Sequence, residues 1–197
     1  TYLFRIAPYK TLNGNRLYGK YTSVLKAVRK PDAPTGVKFV GASASFIIIG
    51  WDVVDNADGY LIQEKQESGW TQIAKLVGKG IKTYRHTFDY SPGSEHIYRV
   101  VSYKSNGVSY SYSYSSAIKA YCAPAPVTDV TITSTETSLS FKWDVVSSAD
   151  GYYVQVQDAD GTILKSALYK SNTTTSFSAS GLASGSRYTF SITPYKT

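Results

Sequence analysis

Along most of this chain apolar and polar side chains alternate singly, the period-two signature of strands with one buried face. Residues 1–11 place Tyr2, Phe4 and Ile6 on one face, and residues 17–28 return through Tyr21, Val24 and Leu25. Between them lies Asn13-Gly14, a strong hairpin signal because both residues tolerate positive φ. The pattern recurs downstream, where residues 96–104 and 109–121 flank Asn106-Gly107, and residues 188–197 repeat its first strand once more. Further strands are predicted at 37–42 and 130–133, through Ile47, Ile49 and Trp51, through Leu139, Phe141 and Trp143, at 60–63 and 152–155, and at 70–76. No stretch carries an amphipathic helical period of useful length, so the fold class is all-β.

The chain also repeats on a longer scale. Trp51-Asp52-Val53-Val54-Asp55-Asn56-Ala57-Asp58-Gly59-Tyr60 returns as Trp143-Asp144-Val145-Val146-Ser147-Ser148-Ala149-Asp150-Gly151-Tyr152, displaced by 143 − 51 = 92 residues. A fixed period of that length predicts tandem domains of small-sandwich size. The alternation puts Trp51 and Trp143 in cores, with Tyr60 and Tyr152 as structural partners. Pro31-Asp32-Ala33-Pro34 and Ala123-Pro124-Ala125-Pro126 mark the joins, since proline cannot donate to a sheet.

These landmarks together resemble the fibronectin type III domain, an immunoglobulin-like β-sandwich. They are a proline-led first strand, a Trp on the second, a Gly-Tyr opening the third, and the corner Leu182-Ala183-Ser184-Gly185-Ser186-Arg187-Tyr188. The resemblance implies that the Tyr188 hydroxyl ties its corner to backbone. The corresponding stretch 90–96 places Tyr90 at the Leu position and His96 at the Tyr position, a substituted corner rather than a ligand. The closing motif, a Tyr-Lys-Thr strand, an Asn-Gly turn and a Tyr-rich return, is similar to repeats in surface and secreted proteins of Clostridia-like bacteria. The implied organisation is an F–G hairpin of a truncated first repeat at 1–30, a complete domain at 31–121, and a domain without its G strand at 122–197. The chain then reads as an excerpt of a longer array. The alternative is that one copy's opening hairpin adds to another copy's closing domain, head to tail, as a fibre.

Composition narrows the function. The apolar fraction of 42% supports globular cores, and no run of ~18 apolar residues is present to insert in a membrane. No signal peptide is visible and methionine is absent. Cys122, the sole cysteine, has no intrachain partner for a disulfide. Residues 1–30 carry seven bases and no acid, 31–122 nine and eight, 123–197 five and six, so the whole net charge of +7 arises in the first thirty residues. Arg5, Lys10, Arg16, Lys20 and Lys26 form a candidate basic patch, either for an anionic polymer or as a solvated strand surface.

No nucleophile, phosphate-loop, zinc or dinucleotide motif is present, so no catalytic residue, metal or cofactor is assigned and the chain is not expected to be an enzyme. Asp52, Asp55, Asp58, Asp144 and Asp150 are read as turn residues rather than calcium ligands. Tyr110, Tyr112 and Tyr114 share one strand face, either as a row for stacking on a sugar or protein or as packing against neighbouring strands. Phe46 and Ile48 should point outward and be covered by a neighbouring domain or another molecule.

The expected role is a non-catalytic structural or adhesive segment of a bacterial extracellular or cell-surface protein. Its expected partners are neighbouring repeats, and also other copies head to tail, a glycan or a cell-wall polymer. Membrane insertion and nucleic acid are not expected. The alternatives are a glycan-binding accessory module of a carbohydrate-active enzyme, through the tyrosine row, and anionic-polymer binding through the hairpin 1–30.

Overall fold

The computed structural model describes residues 2–197 and, among them, contains strands and no helix. The expected all-β class is borne out. β1 (Tyr2–Phe4), β2 (Tyr9–Leu12), β3 (Asn15–Tyr18) and β4 (Leu25–Ala27) form two short antiparallel ribbons, β1 with β4 and β2 with β3. The continuous hairpin predicted over 1–28 is therefore interrupted. Pro8 has no N–H for a ladder, and among the described residues only isolated bonds cross the gap, from Gly19 N to Pro8 O at 2.7 Å, from Thr22 N to Ile6 O at 2.8 Å and from Ile6 N to Thr22 Oγ1 at 3.1 Å. Asn13 and Gly14 take φ of 49° and 79°, as a primed hairpin turn requires.

β5 (Lys38–Ser43), β6 (Phe46–Gly50), β7 (Gly59–Gln66), β8 (Gly69–Val77), β9 (Thr83–Thr87), β10 (Glu95–Ser105), β11 (Tyr110–Tyr114) and β12 (Ile118–Tyr121) follow. They make a three-stranded sheet β5-β6-β9 and a five-stranded sheet ordered β11-β10-β7-β8, with β12 also paired to β10. The strand predicted over 109–121 is two strands. At the break, Ser115 N donates to Val100 O while its Oγ accepts from Val100 N. The second Asn-Gly is also not a copy of the first. Gly107 alone has positive φ there, and Asn106 Oδ1 instead accepts from the backbone N–H groups of Val108 and Ser109. The longer loop is held by the asparagine side chain.

The last sheets are β13-β14-β17 and β16-β15-β18, built from β13 (Thr131–Ser134), β14 (Ser138–Lys142), β15 (Gly151–Gln157), β16 (Ile163–Tyr169), β17 (Ser176–Ser180) and β18 (Thr189–Tyr195).

The chain divides into two compact units. One comprises the chain up to Lys38, Ile49–Tyr84 and Ile97–Ile118. In it Trp51, Tyr60, Ile62, Tyr98 and Val100 are buried, and the Trp51 ring meets Tyr60 edge-on at 5.3 Å. Trp51 lies just past the end of β6 rather than on it, its backbone N–H donating to Lys82 O. The other unit comprises Phe39–Ile48, Arg85–His96 and Lys119–Thr197. Its core gathers Phe141, Trp143, Tyr152, Val154 and Phe177. Phe190 stacks on Phe141 at 3.6 Å, and Trp143 meets Tyr152 edge-on at 5.5 Å.

Candidate functional site

The duplicated stretch is consumed by internal bonds. The Tyr60 hydroxyl accepts from Val54 N at 2.8 Å and donates to Lys79 O at 2.9 Å. The Tyr152 hydroxyl does the same with Val146 N and Asn172 O, at 2.8 and 3.1 Å. Both tyrosines are fully buried, so each hydroxyl needs such partners. Gly59 and Gly151 make room for a later tyrosine. Tyr103 OH donates to Leu76 O and Tyr195 OH to Tyr169 O, and both hydroxyls lie against the glycine that pairs with their strand.

The aspartates preceding the glycines tie the same junction. Asp58 accepts from Lys104 Nζ and from Ser105 N; Asp150 accepts from Lys196 Nζ at 2.6 Å and from Thr197 N and Oγ1, both at 2.9 Å. Burial raises the Asp58 carboxyl, but the Lys104 and Ser105 hydrogen bonds outweigh it and hold it below its usual value. At Asp150 the Lys196 hydrogen bond, then those from Thr197, bring the carboxyl down to about 2. A carboxyl more acidic when folded contributes stability that is complete above its unfolded value and is lost as pH falls through its folded value. For Asp150 that window runs from 3.8 down to about 2. Asp150→Asn is expected to flatten the fall in melting temperature across this window; an unchanged acid slope would show that the carboxylate adds nothing.

The tyrosine row of β11 sits on a larger face. Tyr110 and Tyr114 are about half exposed, Tyr112 is half-buried, and the Tyr110 and Tyr112 rings stack at 6.1 Å. Cross-strand register adds residues that spacing along the sequence does not reveal. Tyr112 pairs with Tyr103 and Tyr114 with Val101; Val101 in turn faces Leu61, which faces Lys75. Arg99 lies over both Trp70 and Tyr114, at 4.3 and 4.5 Å, and Lys75 over both Tyr110 and Tyr103, at 4.5 and 5.2 Å. Lys75 Nζ also donates to the Tyr110 hydroxyl, and this bond raises its pKa. Tyr103, Trp70, Arg99 and Lys75 were missed by sequence reasoning because only the register brings them together.

The remaining candidates are dispersed. Phe46 and Ile48 are half-buried, and the Arg85 guanidinium covers the Phe46 ring at 3.7 Å. In the basic hairpin, Lys10 opposes Leu17 while Arg16 opposes Thr11, so alternation sends these two cations to opposite faces. Arg5 lies over Tyr21 and Arg16 over Tyr9. Lys20 and Lys26 are exposed, and Lys26 O accepts from Asn106 Nδ2.

Tyr188 is half-buried rather than a full core residue; its hydroxyl accepts from Ala183 N at 2.7 Å and donates to Ala183 O at 3.2 Å. At the substituted corner Tyr90 is exposed where Leu182 is buried, and His96 bonds to Ser94 Oγ and stacks on Phe88. Cys122 is buried, accepts from Ser94 Oγ, and its thiol is pushed up by burial, which makes it a packing residue. Beside β18, an edge strand, a cleft of about 740 Å³ is lined by Val130, Ile132, Phe141, Tyr188 and Phe190 among others.

The fibronectin type III domain model matches residues 125–197. Among solved structures, the chain is similar to the FN1–FN3 domains of chicken CNTN1 at 20% identity and a TM-score of 0.50, covering 98% of this chain and 72% of that one. It is also similar to a segment of two fibronectin type III domains from chicken tenascin, at 18% identity and a TM-score of 0.42, covering 84% of this chain and 93% of that one. No curated protein sequence matches significantly. The fold is that of tandem fibronectin type III β-sandwiches.

Proposed function

We propose that the chain is a structural or adhesive tandem-repeat segment of a bacterial extracellular or cell-surface protein, with repeats at 1–30, 31–121 and 122–197. One observation carries the reading. The duplicated stretch, the feature most strongly repeated in the chain, spends its side chains on holding strands together: Tyr60 and Tyr152 on their own loops, Asp58 and Asp150 on the strand ends. Repetition of architecture without repetition of chemistry is what a spacer or adhesive array requires.

Neighbouring repeats are the proposed partners. β10 carries β11 and β12 along one side, whereas β18 presents that side as an edge beside a cleft of mixed lining that includes Glu136, Ser138 and Phe190. Such an edge is a template for strand pairing. A strand of the same type from an adjacent repeat satisfies it, and in this reading successive repeats make a fibre-like array. The surface location is supported by the usual use of fibronectin type III modules. The bacterial source is supported by the Tyr-Lys-Thr, Asn-Gly and Tyr-rich closing motif. Antibodies against the chain are expected to label intact, unpermeabilised source cells. Labelling confined to lysed cells would contradict a surface role.

A further inference from the structure

We propose that the tyrosine-bearing face of the five-stranded sheet binds an acidic polysaccharide in which uronic acids alternate with neutral sugars. Sugar rings would lie on Tyr112 and on the ring faces of Tyr110 and Tyr114 that Lys75 and Arg99 leave open, and the carboxylates would meet Arg99 and Lys75. Tyrosine offers an apolar ring plane with a polar rim, which matches the C–H face and hydroxyl edge of a sugar ring. Period two sets the three rings in file along β11, and the 6.1 Å spacing of Tyr110 and Tyr112 keeps two of them as one stacked platform.

Cations bridge that platform to the far side of the sheet. Arg99 spans Tyr114 and Trp70, and Lys75 spans Tyr110 and Tyr103. A ring face attracts a cation without cancelling its charge. Among the described residues the register places no Asp or Glu at the facing positions: Gly59, Leu61 and Gln63 on β7 lie beside Tyr103, Val101 and Arg99 on β10, and Lys65 on β7 lies beside Trp70 on β8. The charge is therefore available to a ligand. Arg99 is also anchored, its Nε donating to Gln63 Oε1 at 2.7 Å, so it loses little freedom on binding. A guanidinium pairs well with a planar carboxylate.

The charge balance of the repeat that bears this face disfavours a nucleic acid. Residues 31–122 carry nine bases against eight acids, too even to follow a backbone with one charge per nucleotide. Two separated cations among rings suit charges that alternate with neutral sugars. A structural module exists with or without such a face, so a negative result overturns this inference and leaves the structural role standing.

The test is calorimetric titration of the 197-residue chain with hyaluronate and with its carboxyl-reduced form. Hyaluronate is expected to bind, and the carboxyl-reduced polymer to bind about tenfold more weakly. Tyr110→Ser with Tyr112→Ser, and separately Arg99→Gln, should each weaken binding about tenfold at a melting temperature near the parent's. If Arg99→Gln fails to fold, Lys75→Gln, at an exposed position, reads the same charge. Lys10→Gln with Arg16→Gln should leave binding unchanged. No binding by the parent would overturn the proposal. So would equal competition by single-stranded DNA, indifference to the tyrosine changes, or loss of binding in the Lys10 and Arg16 variant.

Discussion

Trp143→Ala is expected to cost about 3–5 kcal/mol, the usual range for deleting a large aromatic side chain from a packed core. The Trp143 ring is 4% exposed, meets Tyr152 at 5.5 Å and sits in the cluster with Phe141, Val154 and Phe177. Trp51→Ala should behave alike, since Trp51 is equally buried and meets Tyr60 at 5.3 Å. Trp70→Ala should cost clearly less, because β8 is an edge strand and the ring is only half-buried. What the two core tryptophans supply is ring area: the indole N–H of each is buried and finds no protein acceptor. Trp143→Phe removes that orphan donor while keeping a ring, so it should cost well under the alanine change. Urea denaturation followed by circular dichroism measures all four. Small, equal losses at positions 51, 70 and 143 would contradict the core assignment.

Gly151→Ala is expected to be nearly as damaging although it adds only one methyl group. That carbon would lie 2.0 Å from Tyr169 O and 2.8 Å from the Tyr195 hydroxyl. The first obstacle is the backbone of the partner strand, so no rotamer change relieves it, and β15 must part from β16 or β18. Overpacking of this kind costs about 1–3 kcal/mol and sometimes more. Gly59→Ala meets the same obstacle, 2.1 Å from Leu76 O and 2.7 Å from the Tyr103 hydroxyl. Gly41→Ala is the control. Nothing lies within 4 Å of its added carbon and its φ is ordinary, so a change within about 0.5 kcal/mol is expected. Melting curves that rank Gly151→Ala with Gly41→Ala would show that the tyrosine and glycine do not pack as described.

Much of the architecture was legible in the sequence because its causes are local. Single alternation placed Phe141 and Trp143 inside, and the Asn13-Gly14 turn follows from two adjacent residues that accept positive φ. The missed breaks had weaker signals. Pro8 is a visible reason for the gap between β1 and β2, but nothing near Ser115 announces that β11 and β12 separate. The second Asn-Gly was read as a repeat of the first because the dipeptide is the same; what differs is that Asn106 bonds two amides ahead of it. The partners of the buried hydroxyls lie 19 and 20 residues away, at Lys79 and Asn172, beyond any spacing rule. The aromatic face was half legible. Period two gave the three tyrosines, while Arg99, Lys75 and Trp70 come from other strands and meet them only through register.

The central claim is that the duplicated stretch serves architecture, and amide hydrogen exchange at Val54 and Val146 tests it most directly. Neither residue lies in a strand, so its N–H has no ladder partner and depends on the hydroxyl of Tyr60 or Tyr152. The account predicts that both amides exchange as slowly as those of β7 and β15, through opening of the whole unit. It further predicts that Tyr152→Phe releases Val146 while Val54 stays protected. Rapid exchange at Val54 and Val146 in the parent chain, or protection of Val146 that survives Tyr152→Phe, would contradict it.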